Sequence, residues 1–156
     1  GLAAIAEIHA AIVDLRRYQP VVGVIAGQVG CFGGMSIAAG LCSALVMTQE
    51  GRLGLNGPAV IEQEAGIAEY DSRDRPFIWS FTGGTQRVAT GFADAYADDD
   101  SDAMRAQEAA LLREPGAASH RSEQYTQYLA ALQAYDASAQ PTPAQVQALF
   151  QRGTDA

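Results

Sequence analysis

An α/β layered fold is what this 156-residue chain predicts, and three features carry the prediction. Apolar residues recur at helical spacing from the start of the chain. The run VVGVIAG at 21–27 is short, continuous and apolar, the pattern of a parallel strand buried on both faces. From there, helix and strand patterns alternate with glycine turns between them, which implies layered packing.

The elements follow in order. Leu2, Ile5, Ile8, Ile12 and Leu15 predict an amphipathic helix over residues 2–17, stopped by Pro20. The apolar strand comes next, and the glycine turn GCFGG closes it. GMSIAAGLCSALVMT at 34–48 is rich in small residues and long enough for one helix. GRLGLNGPAVIEQEAG reads as a short strand, a turn at Asn56-Gly57, and a helix with Pro58 at its first position. DSRDRP reads as a charged turn, and FTGGT as another glycine turn leading into residues 85–97. ADDDSD is an acidic, solvated break whose charge also suits a helix start. Helices are expected at 102–114, 121–137 and 143–152. The last carries Thr142 as N-cap, Pro143 at the first position, Gln145 completing a capping box and Gly153 as stop.

Composition narrows the function. A formal charge of −8 with dispersed basic residues argues against a nucleic-acid partner. Cys31 and Cys42 form neither a CxxC motif nor a four-ligand zinc site, and their usage fits a reducing cytoplasm. Residues 18–49 carry no charged side chain, but their glycines, proline and glutamines favour a buried strand, turn and helix over a membrane span. No secretory signal is recognisable at residues 1–18. The chain enters helical periodicity at Gly1 with no cap before it, so a piece of something longer is expected.

Gly33-Gly34, between a buried strand and a helix, admits two readings. Bare backbone permits close packing of helix on strand, which Ser36, Ala38, Ala39 and Gly40 also suit. It also uncovers the first N–H groups of a helix, which lack intrahelical acceptors and carry the positive end of the dipole. Such groups can hold an oxyanion or enolate. The turn is neither a P-loop nor a dinucleotide fingerprint, because GK[ST] and GxGxxG are both absent. LNGPAVIE repeats the arrangement, so two sets of N–H donors are expected to edge one cleft.

The segment VIAGQVGCFGGMSIAAGLCSALVMTQEGRLGLNGPAVIE resembles the crotonase-like (ClpP/crotonase) fold, nearest its carboxyltransferase branch. LGLNGPAVIEQEAGIAEYDSRDR with IWSFTGG is similar to the β subunits of biotin-independent malonate decarboxylases. The likeness runs over about residues 1–98 and is strongest at 51–84. It implies a carboxyltransferase core at 1–98 without its N-terminal part, and a helical extension at 99–156. It further implies decarboxylation of a malonyl thioester to an acetyl thioester through an enolate. The backbone N–H groups of Gly33, Gly34 and Met35 would serve as oxyanion donors, and Cys31, Phe32, Asn56, Gly57 and Pro58 would contact substrate. The positions that carry the hydratase carboxylates of this fold are Ser36 and Ala59, which excludes hydratase chemistry. No metal is implied and biotin is not expected; the cofactor would be a phosphoribosyl-dephospho-coenzyme-A type group on an acyl carrier protein. The implied partners are a γ subunit sharing the active site, that carrier protein and an acyl-carrier transferase subunit, all cytoplasmic. A biotin-dependent acyl-CoA carboxyltransferase subunit and a non-catalytic assembly subunit are the alternatives.

The other reactive side chains read as structural. His9 sits among apolar residues of the first helix, and His120 follows GAAS as a solvent-facing residue. Cys31 has no neighbouring histidine in sequence to make it a nucleophile. Glu62 and Glu64 suit the opening turns of a helix. Arg73, Arg75 and Arg87 are candidates for the phosphates of a coenzyme-A-like arm, against surface pairing with Asp71 and Asp74.

Overall fold

Three parallel strands in the order β1-β2-β3 form the centre of the computed structural model, which describes residues 1–113, 121–136 and 138–151. Helix α1 (Leu2–Leu15) precedes β1 (Val22–Ile25), and α2 (Gly34–Leu41) leads into β2 (Ala44–Met47). Strand β2 pairs with β1 from Val22↔Ala44 to Ile25↔Met47, and with β3 (Ala95–Tyr96) at Val46↔Ala95 and Met47↔Tyr96. Leu45, Val46 and Met47 are fully buried. With a strand on each side and apolar matter above and below, β2 needs the uninterrupted apolar run ALVM. Leu45 and Met47 join Ile25, Ala39, Cys42 and Ala93 in the core, against which Ile12, Val21, Leu53 and Val88 pack.

This centre corrects the expectation of one helix over 34–48. The helix ends at Leu41, and Cys42 is extended at φ −63°, ψ 154°. The Ser43 N–H goes to the Val21 carbonyl at 2.8 Å and the Leu45 N–H to Asp94 Oδ2 at 2.7 Å. A continuous apolar run does not carry a period, so tertiary pairing decides between helix and strand.

Past β2 the chain crosses the predicted short strand, which contributes only single bridging residues, Cys31↔Leu53 and Arg52↔Gly83. Helix α3 (Pro58–Ala65) begins on Pro58 as predicted. The charged turn at 71–76 runs straight into α4 (Arg75–Thr82), whose N-cap Asp74 accepts the Phe77 N–H at 3.0 Å. Gly83 and Gly84 then turn the chain into α5 (Gly84–Ala89), and β3 lies within the stretch 85–97.

Helix α6 (Ser101–Arg113) packs on β1 and β2. The helix expected over 121–137 divides into a 3-10 turn at Arg121–Glu123 and α7 (Tyr125–Gln133). Helix α8 (Pro143–Gln151) carries the predicted capping box: Thr142 N–H donates to Gln145 Oε1 at 2.8 Å, and Gln145 N–H to Thr142 Oγ1 at 3.3 Å. Gly153 lies outside the described residues. Phe92, Tyr128 and Phe150 form an aromatic cluster with centroids 4.8–5.9 Å apart, and Gln86 donates to the Pro143 carbonyl at 3.0 Å. These contacts fasten α7 and α8 to the end of α5. No helix among the described residues is long and apolar enough to cross a membrane.

Candidate functional site

The two glycine turns are stitched together by backbone hydrogen bonds. Cys31 N–H donates to the Arg52 carbonyl at 2.7 Å, Gly54 N–H to the Cys31 carbonyl at 3.2 Å, and Gly33 N–H to the Leu55 carbonyl at 2.8 Å. The N-termini of α2 and α3 therefore flank one short ladder. Arg87 holds the second turn from behind: its Nε and Nη2 donate to the Leu53 carbonyl at 2.9 and 2.6 Å. Burial pushes the Arg87 guanidinium down to about 10, and the Phe92 ring 5.3 Å away gives the cation a polarisable face.

Each glycine of the first turn has its own reason. Gly33 stands at φ +60°, ψ −136°, a conformation favourable only to glycine. Its carbonyl accepts from Ser36 N–H at 3.0 Å and Ser36 Oγ at 2.7 Å, closing the start of α2. Gly34 is a close-approach residue: an added Cβ would lie 2.9 Å from Ile5 Cγ2 and 3.0 Å from Ile5 Cδ1. Its carbonyl is joined to His9 Nε2 at 2.9 Å, which fastens α1 to the same turn.

Of the three predicted oxyanion donors, Gly33 already spends its N–H on Leu55. The N–H groups of Gly34 and Met35 belong to the first turn of α2, where helix geometry supplies no acceptor. Met35 is exposed, so this end of α2 opens outward.

The predicted substrate-contact residues fall around the same ladder. Phe32 lies between the turns, with ring carbons within 3.5–3.8 Å of Cβ positions on Gly54 and Gly57, and Arg52 stands over it at 5.7 Å from the centroid. Gly57 caps α3, its carbonyl accepting from Val60 and Ile61, with Pro58 following and Asn56 exposed before it. Cys31 is half-buried, and burial pushes its thiol up, which opposes a nucleophilic thiolate. Beside the turns lies a small cavity of about 270 Å³ edged by Ser36, Gly54, Leu55 and Arg87, with no carboxylate in its lining.

His9 is a packing residue on α1, and His120 lies outside the described residues. Among the described residues no three His, Cys, Asp or Glu side chains converge as a metal site would require. Arg52 and Arg87 escaped sequence reasoning as anchors of the turns; no local pattern marks an arginine whose partner is a distant carbonyl.

Glu62 acts as a latch. Its Oε2 accepts the Ser72 N–H at 2.7 Å, and hydrogen bonds from the Ser72 side chain and backbone hold the carboxyl below its ordinary range. The ionised form is the one the fold favours, so this contribution is full above the ordinary carboxyl range. It is lost as pH falls through the lowered value. Glu62→Gln is expected to flatten the acid limb of a Tm-against-pH curve; an unchanged limb would remove the latch.

No family model matches the chain. A subunit in the crystal structure of a Pseudomonas malonate decarboxylase hetero-tetramer in complex with malonate superposes with TM-score 0.90 at 64% identity, over 96% of this chain and 54% of that one. A malonyl-S-ACP:biotin-protein carboxyltransferase of Malonomonas rubra is 40% identical over 115 residues, 74% of this chain and 36% of the relative. The transcarboxylase 12S subunit gives TM-score 0.56 at 26% identity, covering 71% of this chain and 20% of that one. This chain spans about half the length of the malonate decarboxylase subunit and about a third of the carboxyltransferase. With its glycine turns opening helices beside a parallel sheet, the chain has the crotonase-like carboxyltransferase fold. Within that fold it is similar in sequence and structure to malonate decarboxylase subunits.

Proposed function

We propose that this chain is a malonate decarboxylase β subunit and that it stabilises the enolate formed when a malonyl thioester loses CO₂. One observation carries the reading: two α2 N–H groups without intrahelical acceptors open at a turn whose backbone is fixed by a second turn, with no carboxylate among the cavity's lining residues. As the bond between the α-carbon and the carboxylate breaks, its electron pair moves toward the thioester carbonyl, whose oxygen becomes negative. Aligned N–H donors stabilise that charge without reorganising. Gly34 and Met35 would donate, Gly33 would set the turn, and Asn56, Gly57 and Pro58 would form the facing edge beside Cys31 and Phe32. Proton delivery to the α-carbon would complete the acetyl thioester, with the proton drawn from the shared interface with a γ subunit.

The same reading places the thioester on a carrier protein bearing a phosphoribosyl-dephospho-coenzyme-A type arm, reloaded by a transferase subunit, in the cytoplasm. It treats residues 1–98 as the carboxyltransferase core and 99–156 as its helical extension. A second reading, carboxyl transfer to a biotin-bearing protein, is favoured by the 40% identity to such an enzyme. The 64% identity to a malonate decarboxylase subunit supports the first.

The test is CO₂ release from a malonyl thioester by the chain with its copurifying partner. Release without biotin is the expected result. Release that depends on biotin, with label recovered as carboxybiotin, would establish the second reading instead, and no turnover by intact subunits would remove both.

A further inference from the structure

Along the side of α1 that packs on α2, Ile5 and His9 stand one turn apart and half-buried, with exposed residues between them. Ile5 lies 2.9 Å from where a β-carbon on Gly34 would stand. His9 reaches the backbone of the same residue, its Nε2 2.9 Å from the Gly34 carbonyl oxygen. Opposite a carbonyl only a protonated ring nitrogen bonds, so Nε2 carries the hydrogen and donates. Further along, Arg16 Nη1 donates to the Leu41 carbonyl at 2.8 Å. His9 and Arg16 are spaced in α1 as Gly34 and Leu41 are in α2, so the helices are pinned side by side at both ends of α2. Packing alone would be met by an aliphatic side chain, as at Ile5 and Ile12.

The Gly34 carbonyl and the Met35 N–H are two ends of one amide, conjugated through its C–N bond. A hydrogen bond received at the oxygen withdraws electron density from the nitrogen, and linked bonds of this kind strengthen one another by about 10–30%. The other donor peptide shows the same arrangement. The Gly33 carbonyl, which shares its amide with the Gly34 N–H, accepts Ser36 Oγ at 2.7 Å. Each peptide that offers an N–H at the start of α2 thus has a side-chain donor on its oxygen. We infer that His9 is a positioning residue of the candidate site, fixing the Gly34–Met35 peptide and polarising its N–H toward an oxyanion. It acts through the peptide and touches no substrate. The inference rests on the proposed function for the charge that this N–H would meet.

The copurified complex is followed by NMR with methionine nitrogen-labelled in this chain alone, which reports three amides, and Met35→Leu identifies the Met35 signal. In His9→Leu, which keeps apolar volume but no donor, the Met35 amide proton is expected to move upfield. Decarboxylation of a malonyl thioester should fall roughly 2- to 8-fold, the share that 10–30% of a donor worth about 10²–10³-fold represents. The loss should lie in kcat with KM unchanged, because the negative oxygen develops only as the bond breaks. His9→Gln, which restores an N–H donor, should recover most of both changes. His9→Met gives a second donor-free variant of more pliable shape should His9→Leu melt early. An unmoved Met35 signal, equal shifts in His9→Leu and His9→Gln, or a loss confined to KM would overturn the role of His9. A Met35 signal that moves as expected in a complex without turnover would overturn the decarboxylase reading and leave the polarised donor in place, so the two failures are distinguishable.

Discussion

Gly34→Val is expected to lower malonyl-thioester decarboxylation by about 10²–10³-fold, the magnitude typical of losing one oxyanion donor. The substitution leaves every N–H in place, so its effect must come through position. A β-carbon at Gly34 would meet Ile5 at 2.9 Å, so the start of α2 must withdraw from α1, breaking the contact between His9 and the Gly34 carbonyl and swinging the Gly34 and Met35 N–H groups away. The smaller change Gly34→Ala tests this by compensation. Ile5→Ala removes the obstructing atoms, and the double variant should recover most of what Gly34→Ala loses; sites in contact are where such coupling appears. If Gly34→Val turns over at the full rate with an intact melting transition, the glycine serves packing alone and the assembly-subunit reading gains.

Gly84→Ala is expected to act on stability instead, by on the order of 3 kcal/mol and roughly 6–12 °C in Tm for a chain of this size. Its added Cβ would lie 2.8 Å from the Thr48 carbonyl carbon and 3.2 Å from Met47 Cβ, against the central strand, where Met47 and Thr48 are fully buried. Neither backbone can yield without disturbing the β2 pairing. Gly40→Ala is the matched control: nothing lies within 4 Å of its Cβ position, in the last turn of α2. There the substitution should leave stability unchanged or raise it by less than about 1 kcal/mol. Equal melting temperatures for the two variants would contradict the packing described.

What the sequence disclosed follows the range of the forces involved. Helix α1, the Pro58 start of α3 and the Thr142–Gln145 box rest on neighbours within a few residues, and each was legible. The start of α4 was missed: its Asp74 cap and Pro76 sit among charges that read as a turn. Strands β2 and β3 were not legible, because ALVM suits either period and the two residues of β3 are strand only by pairing with β2. At the site, the glycine turns and their juxtaposition were readable from strand-to-helix punctuation. The commitment of the Gly33 N–H to Leu55 was not, since a carbonyl 22 positions away leaves no local mark. A cavity of about 420 Å³ gathers residues from three segments, and only the fold brings Arg52 to Arg73 and Arg75 there.

Arg52 serves two masters. Its carbonyl holds the Cys31 N–H, its guanidinium lies over Phe32, and the same side chain walls the cavity beyond. Truncating Arg52 is therefore expected to disturb the Phe32 turn and the cavity wall together, so its effects should not add to those of changes on either side.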